Sequence, residues 1–132
     1  MRRRLCLAAT LMLGAGVATA QVAPSAEQVA RYSGLHAAAQ RGDLATIARE
    51  RAAGADLNAR DPQGRTPLHV ATFARQREAV RALARAGAQL GLLENDRYDA
   101  VTIAAVAGDE ATLRELLALG ASAALTTSRY DG

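Results

Sequence analysis

Large rings are scarce in this 132-residue chain: it has no tryptophan, one phenylalanine and three tyrosines, so aromatics make up 3% of it. That excludes a globule filled by ring side chains. Any core must be built from Ala, Leu, Val and Ile, which suits thin, closely stacked helices. Lysine is absent, and all 16 basic residues are arginine against 13 acidic ones. Arg2, Arg3 and Arg4 account for the whole formal charge of +3, so the rest of the chain is formally neutral. No basic stripe interleaved with aromatics is present, which argues against a nucleic-acid partner. Cys6 is the only cysteine, leaving neither a disulfide framework nor a metal site of Cys/His spacing. A phosphate-cradling glycine loop and a Ser/His/Asp arrangement are equally missing, so the sequence points away from an enzyme and calls for no cofactor.

The first twenty residues read as an export segment. Arg2–Arg4 form a positive start, Leu5 to Val17 an apolar stretch, and Ala18-Thr19-Ala20 a small-residue cleavage site. The apolar stretch is short of the ~20 residues that span a bilayer. Cys6 lies inside it rather than directly after it, which disfavours a lipid-modified terminus. Cleavage after Ala20 leaves a cysteine-free chain starting at Gln21, compatible with the oxidising periplasm and without a membrane anchor.

A step of 33 residues organises the remainder of the chain. It carries Gly54 to Gly87 to Gly120, Leu35 to Leu68 to Val101, Ala38 to Ala71 to Ala104, and Ile47 to Val80 to Leu113. It also carries Ser33 to Thr66 to Asp99, three different residues that all cap helix starts well. Between Gly54 and His69 the chain reads GADLNARDPQGRTPLH. Gly54 suits a left-handed residue past a helix end, Asp61-Pro62-Gln63-Gly64 a turn, Thr66 a cap and Pro67 a first helical position. A helix end, a hairpin-like finger and a helix start together form a joint between two copies of one unit.

With its period of 33 and its TPLH core the chain resembles the ankyrin-repeat family, from about Ser33 to Thr127. The third copy is looser, with Asp99-Ala100-Val101-Thr102 in place of TPLH. The resemblance implies an all-α solenoid of stacked helix-turn-helix units joined by fingers. The expected layout is a signal peptide at 1–20, a linker and capping helix at 21–32, and repeats at about 33–65, 66–98 and 99–129. Residues 130–132 would begin an absent fourth repeat, as though the array were incomplete. Ser25-Ala26-Glu27-Gln28 predicts a capping box for the short first helix. Glu50 and Arg51 stand where the later copies have Leu83-Ala84 and Leu116-Leu117, as expected of a terminal repeat with a wet outer side. Arg75 stands where the other copies have Gly42 and Gly108, at a cost of about 1 kcal/mol if the backbone there is left-handed. Leu113, Leu116 and Leu117 follow i, i+3, i+4 spacing and are expected to face the core.

The family binds other proteins on the concave side made by fingers and first helices. Carried over, the variable positions of that side are Arg60, Gln63, Arg65, Phe73 and Ala74, then Leu93, Tyr98, Val106 and Ala107. Arg65, Phe73 and Tyr98 are the expected anchors, because such residues dominate interfaces; Phe73 packing between helices is the alternative. His36 and His69 occupy equivalent positions. Stacked helices about 8–10 Å apart do not let one zinc ion, with bonds of about 2.1 Å, bridge them. The resemblance gives these histidines a structural hydrogen-bonding role instead. Glu94, Asp96 and Asp99 lack the bend glycine of a calcium loop and read as a solvated finger with Asp99 as a helix cap. The expectation is a non-catalytic module that binds a partner protein in the periplasm. Two further readings are an inhibitor or immunity protein blocking a secreted enzyme, and self-association through the uncapped third repeat.

Overall fold

The computed structural model describes residues 22–124. The export segment, the end of the third repeat and the start of a fourth lie outside the described residues. Among those described, seven helices and no strand are formed: α1 (Ala26–Ala30), α2 (Gly34–Arg41), α3 (Leu44–Ala52), α4 (Pro67–Phe73), α5 (Arg77–Ala86), α6 (Ala100–Val106) and α7 (Glu110–Ala118). α1 starts with the reciprocal cap expected of it: Gln28 N donates to Ser25 Oγ at 3.2 Å and Ser25 N to Gln28 Oε1 at 3.0 Å.

Each copy pairs a first helix with a second: α2 with α3, α4 with α5, α6 with α7. The first helices then stack in one row, α2 on α4 on α6, and the second helices in another, α3 on α5 on α7. Ala38, Ala71 and Ala104, one helix turn past each start, are all fully buried. A methyl at this position lets neighbouring first helices approach closely. Leu68, Val80, Leu83 and Leu116 belong to the one apolar cluster that the two rows bury. Burying each leucine or isoleucine removes roughly 1.5–3 kcal/mol worth of apolar surface from water.

The caps follow local chemistry. Asp99 Oδ1 accepts from Thr102 N at 2.8 Å, and Thr66 exchanges bonds with His69. Ser33 occupies the same extended cap position but makes no side-chain bond. At the second helices, Asp43 and Asp109 accept from Thr46 N and Thr112 N at 3.0 and 3.2 Å. After those helices Gly54, Gly87 and Gly120 have φ of +82°, +109° and +101°, alike in all three copies. Between the helices of the second copy Arg75 adopts φ +56°, the same left-handed turn as its glycine counterparts. Its Nη2 donates to Ala107 O at 3.0 Å, which ties the second repeat to the third and offsets part of the strain.

One expectation is corrected here. Leu116 is fully buried and Leu113 packs against the core, but Leu117 is 39% exposed. The i+4 position of α7 lies beyond the width of the stripe that the preceding repeat covers.

Candidate partner-binding surface

The fingers are closed by acids. In the first finger Asp61 Oδ1 accepts from Gln63 N and Arg65 N at 2.9 and 2.8 Å, while Asp61 N donates to Arg65 O at 2.9 Å. Glu94 does the same work one repeat later, accepting from Tyr98 N at 3.1 Å as its own N–H donates to Tyr98 O at 3.0 Å. Each turn includes a left-handed residue, Gly64 at φ +72° and Arg97 at φ +67°. Glu94 is thus buried, not solvated as the sequence suggests, and burial pushes its carboxyl above the usual range. Its longer side chain reaches the bond that the shorter Asp61 makes in the first finger.

The two fingers are fastened to each other. Asn95 N donates to Gln63 O at 3.0 Å and Asn95 Nδ2 to Pro62 O at 3.1 Å. Arg60 Nη1 bridges Gly64 O at 2.8 Å and Leu93 O at 2.7 Å. From beneath, His69 Nε2–H donates to Leu92 O at 2.7 Å while its Nδ1 accepts from Thr66 N at 2.9 Å. Both partners fix the neutral tautomer, and desolvation lowers the His69 pKa to about 4. His36 also bonds its own finger, but six residues further along it, from Nε2 to Arg65 O at 2.8 Å. The histidines therefore brace the fingers of their own repeats, as the resemblance implies.

The expected contact residues separate into three groups. Arg60, Val106 and Ala107 are exposed, Val106 at 56%. Gln63, Phe73, Ala74, Leu93 and Tyr98 are half-buried along the finger side. Arg65 is corrected: it is 3% exposed and does not reach solvent. Its guanidinium carbon lies 5.0 Å from the centre of the Phe73 ring, Nη2 donates to Val22 O at 2.5 Å, and Nη1 to Gln28 Oε1 at 3.3 Å. The N-terminal segment and α1 thus lie over the expected anchor, and Phe73 serves as its floor.

Gln28, Arg31, Tyr32 and His36, none of them an expected contact residue, join Arg60, Asp61 and Gln63 around a cleft of about 300 Å³. Tyr32 OH donates to Asp61 Oδ2 at 2.8 Å, and burial together with that carboxylate raises its pKa to about 12. The signal was present in the sequence: Tyr32 stands 33 residues before Arg65, which stands 33 before Tyr98. Among the described residues, no helix is long and apolar enough to cross a membrane. No curated protein matches the chain. A family model described as ankyrin repeats, in three copies, matches residues 33–127.

Proposed function

The chain belongs to the ankyrin-repeat family, and from that premise we propose that it is a non-catalytic periplasmic module holding a partner protein on its fingers and first helices. Ankyrin repeats are generally protein-interaction modules, and the family is typically a scaffold rather than a catalyst. The observation that carries the reading is the fastening of finger to finger by Asn95 and Arg60. Loops held this way lose little conformational freedom on docking, so less of the contact energy is spent on ordering. Gln63 and Tyr98 lie half-buried on that frame, and Val106 is exposed at the end of α6. Export rests on Arg2–Arg4, the apolar Leu5–Val17 stretch and the Ala18–Ala20 cleavage site.

The test is capture from a periplasmic extract by a tagged chain carrying its own first twenty residues, followed by titration of the captured protein. A Tyr98→Ala/Val106→Glu variant lowers affinity by about tenfold or more. An Arg85→Glu/Arg114→Glu variant, changed on the second helices, leaves it unaltered. The opposite pattern removes the reading.

A second reading, association between copies through the third repeat, has its own observation. Ala39 and Thr72 are buried whereas Ala105 at the same repeat position is exposed, alongside Val106 at 56% and Leu117 at 39%. Sedimentation that shows oligomers of the native chain and monomers of Val106→Glu/Leu117→Glu supports it; a native monomer removes it.

A further inference from the structure

Arg65 is a cation taken out of water without a direct ion pair, the nearby buried carboxylate of Glu94 acting on it only at a distance. It is 3% exposed, and among the described residues no carboxylate oxygen comes within 4.0 Å of its guanidinium. Buried charges are ordinarily paired, because the desolvation cost is otherwise uncompensated. Its partners are neutral: the Val22 carbonyl on Nη2, the Gln28 amide oxygen on Nη1 and the Phe73 ring. Nε is buried and, among the described residues, has no hydrogen-bond partner. Nε–H and the adjacent Nη2–H point the same way from the guanidinium, the edge that grips the two oxygens of a carboxylate side by side. One backbone carbonyl half-fills that edge.

What covers it is weakly held. α1 buries none of its residues, Val22 is 58% exposed, and Ala23 and Ser25 are exposed as well. A segment with so few apolar contacts opens locally at low cost. Beside it lies the cleft of about 300 Å³, which Arg31, Arg60 and the Arg65-bonded Gln28 help to line. Its one carboxylate, Asp61, already accepts from Tyr32 OH, Gln63 N and Arg65 N, and Arg31 is paired with Glu27 at 2.6 Å. Among the described residues Arg60 is the cleft's one arginine outside an ion pair, and Arg65 meets the cleft through Gln28.

We propose that the Nε–Nη2 edge of Arg65 is the docking point for a carboxylate on an extended segment of the partner protein, an aspartate or glutamate side chain that displaces the Val22 carbonyl. The proposal rests on the interaction-module reading and names the chemistry of what is bound. Residues Val22–Ser25 act as the occupant of the site in the unbound chain. An incoming acid replaces one bond to a neutral carbonyl by two to a carboxylate and supplies a counter-charge in direct contact. Phe73 and Gln28 hold the guanidinium in place while this happens.

The probes are two blocked peptides, acetyl-Ala-Glu-Ala-Glu-Ala-amide and the same sequence with Gln for Glu, titrated into protein purified from cells expressing the full chain. Backbone amide shifts locate the binding. The Glu peptide is expected to move Val22–Gln28, Arg65 and Phe73 and to bind at least about tenfold tighter than the Gln peptide. Arg65→Gln abolishes that preference, and Arg65→Lys, which keeps the charge but loses the fork, reduces it. If Arg65→Gln does not fold, the map and the Glu/Gln ratio on the native chain still decide. Equal binding of both peptides, shifts confined to Arg31 and Arg60, or no binding by about 10 mM overturns the proposal. A captured partner that binds through the fingers yet is neither displaced by the Glu peptide nor weakened by Arg65→Gln overturns it too, and leaves the interaction-module reading standing. Failure of that broader reading shows separately, as partner affinity indifferent to the finger-side variants.

Discussion

Replacing His69 by glutamine separates what the buried imidazole contributes from what the rest of the stack contributes. The ring is 1% exposed and makes two bonds that nothing else nearby supplies, one accepted from Thr66 N and one donated to Leu92 O. Leaving a buried backbone group unpaired costs about 1–3 kcal/mol. A glutamine recovers part of one bond, so His69→Gln lowers unfolding free energy by about 2 kcal/mol at pH 7.5. Acidification reverses the comparison. In the unfolded chain the imidazole titrates at its ordinary 6.5, whereas in the fold its pKa is lowered to about 4. Throughout that window the unfolded state binds the extra proton, so native stability falls as pH falls. At about 1.4 kcal/mol per pH unit the loss approaches 3 kcal/mol by pH 4. The variant lacks this loss, while the other titrating groups act equally in both proteins and cancel. Urea unfolding at half-unit steps from pH 7.5 to 4 should show the native advantage shrinking below pH 6.5 and vanishing near about pH 5. Parallel stability curves, or a His69 ring proton that titrates near 6.5 in the native state, would refute the reasoning.

Three further pairs of variants compare like with like. Leu116→Ala, at a fully buried position, should cost about 2–5 kcal/mol in denaturant unfolding, whereas Leu117→Lys, four-tenths exposed, stays within about 0.5 kcal/mol. Equal costs would put both leucines in the core. Gly64→Ala should destabilise more than Gly54→Ala: both have positive φ, but a Cβ at Gly64 meets the Asn95 backbone nitrogen at 3.1 Å and one at Gly54 meets nothing within 4 Å. The expected difference is at least about 1 kcal/mol by thermal melt. Arg97→Gly relieves a left-handed arginine and should stabilise by up to about 1 kcal/mol. Arg75→Gly gains less, because it gives up the Arg75–Ala107 bond; a larger gain at Arg75 would show that bond to be worthless.

The scaffold was readable because its determinants are local and recur. Helix caps and post-helix glycines depend on neighbours within one turn, buried alanines on the next copy of the same helix, and a spacing of 33 displays them three times. Arg65 was not readable in the same way. Its burial is produced by Val22 and Gln28, which lie 43 and 37 residues away and belong to no repeat. The burial of Glu94 escaped for a related reason: an acid in a finger is solvated or internal according to whether it closes the turn, and only its equivalence with Asp61 points to the answer. Leu117 shows the limit of helical periodicity. Spacing identifies a stripe, while its width is set by the neighbouring repeat.

Amide hydrogen exchange on the chain with and without its captured partner tests the finger-side assignment most directly. Slowed exchange across residues 55–65 and 88–98 and at the starts of α4 and α6, with α3, α5 and α7 unchanged, is the predicted result. Protection confined to the second helices, with both fingers exchanging as in the unbound chain, would contradict it.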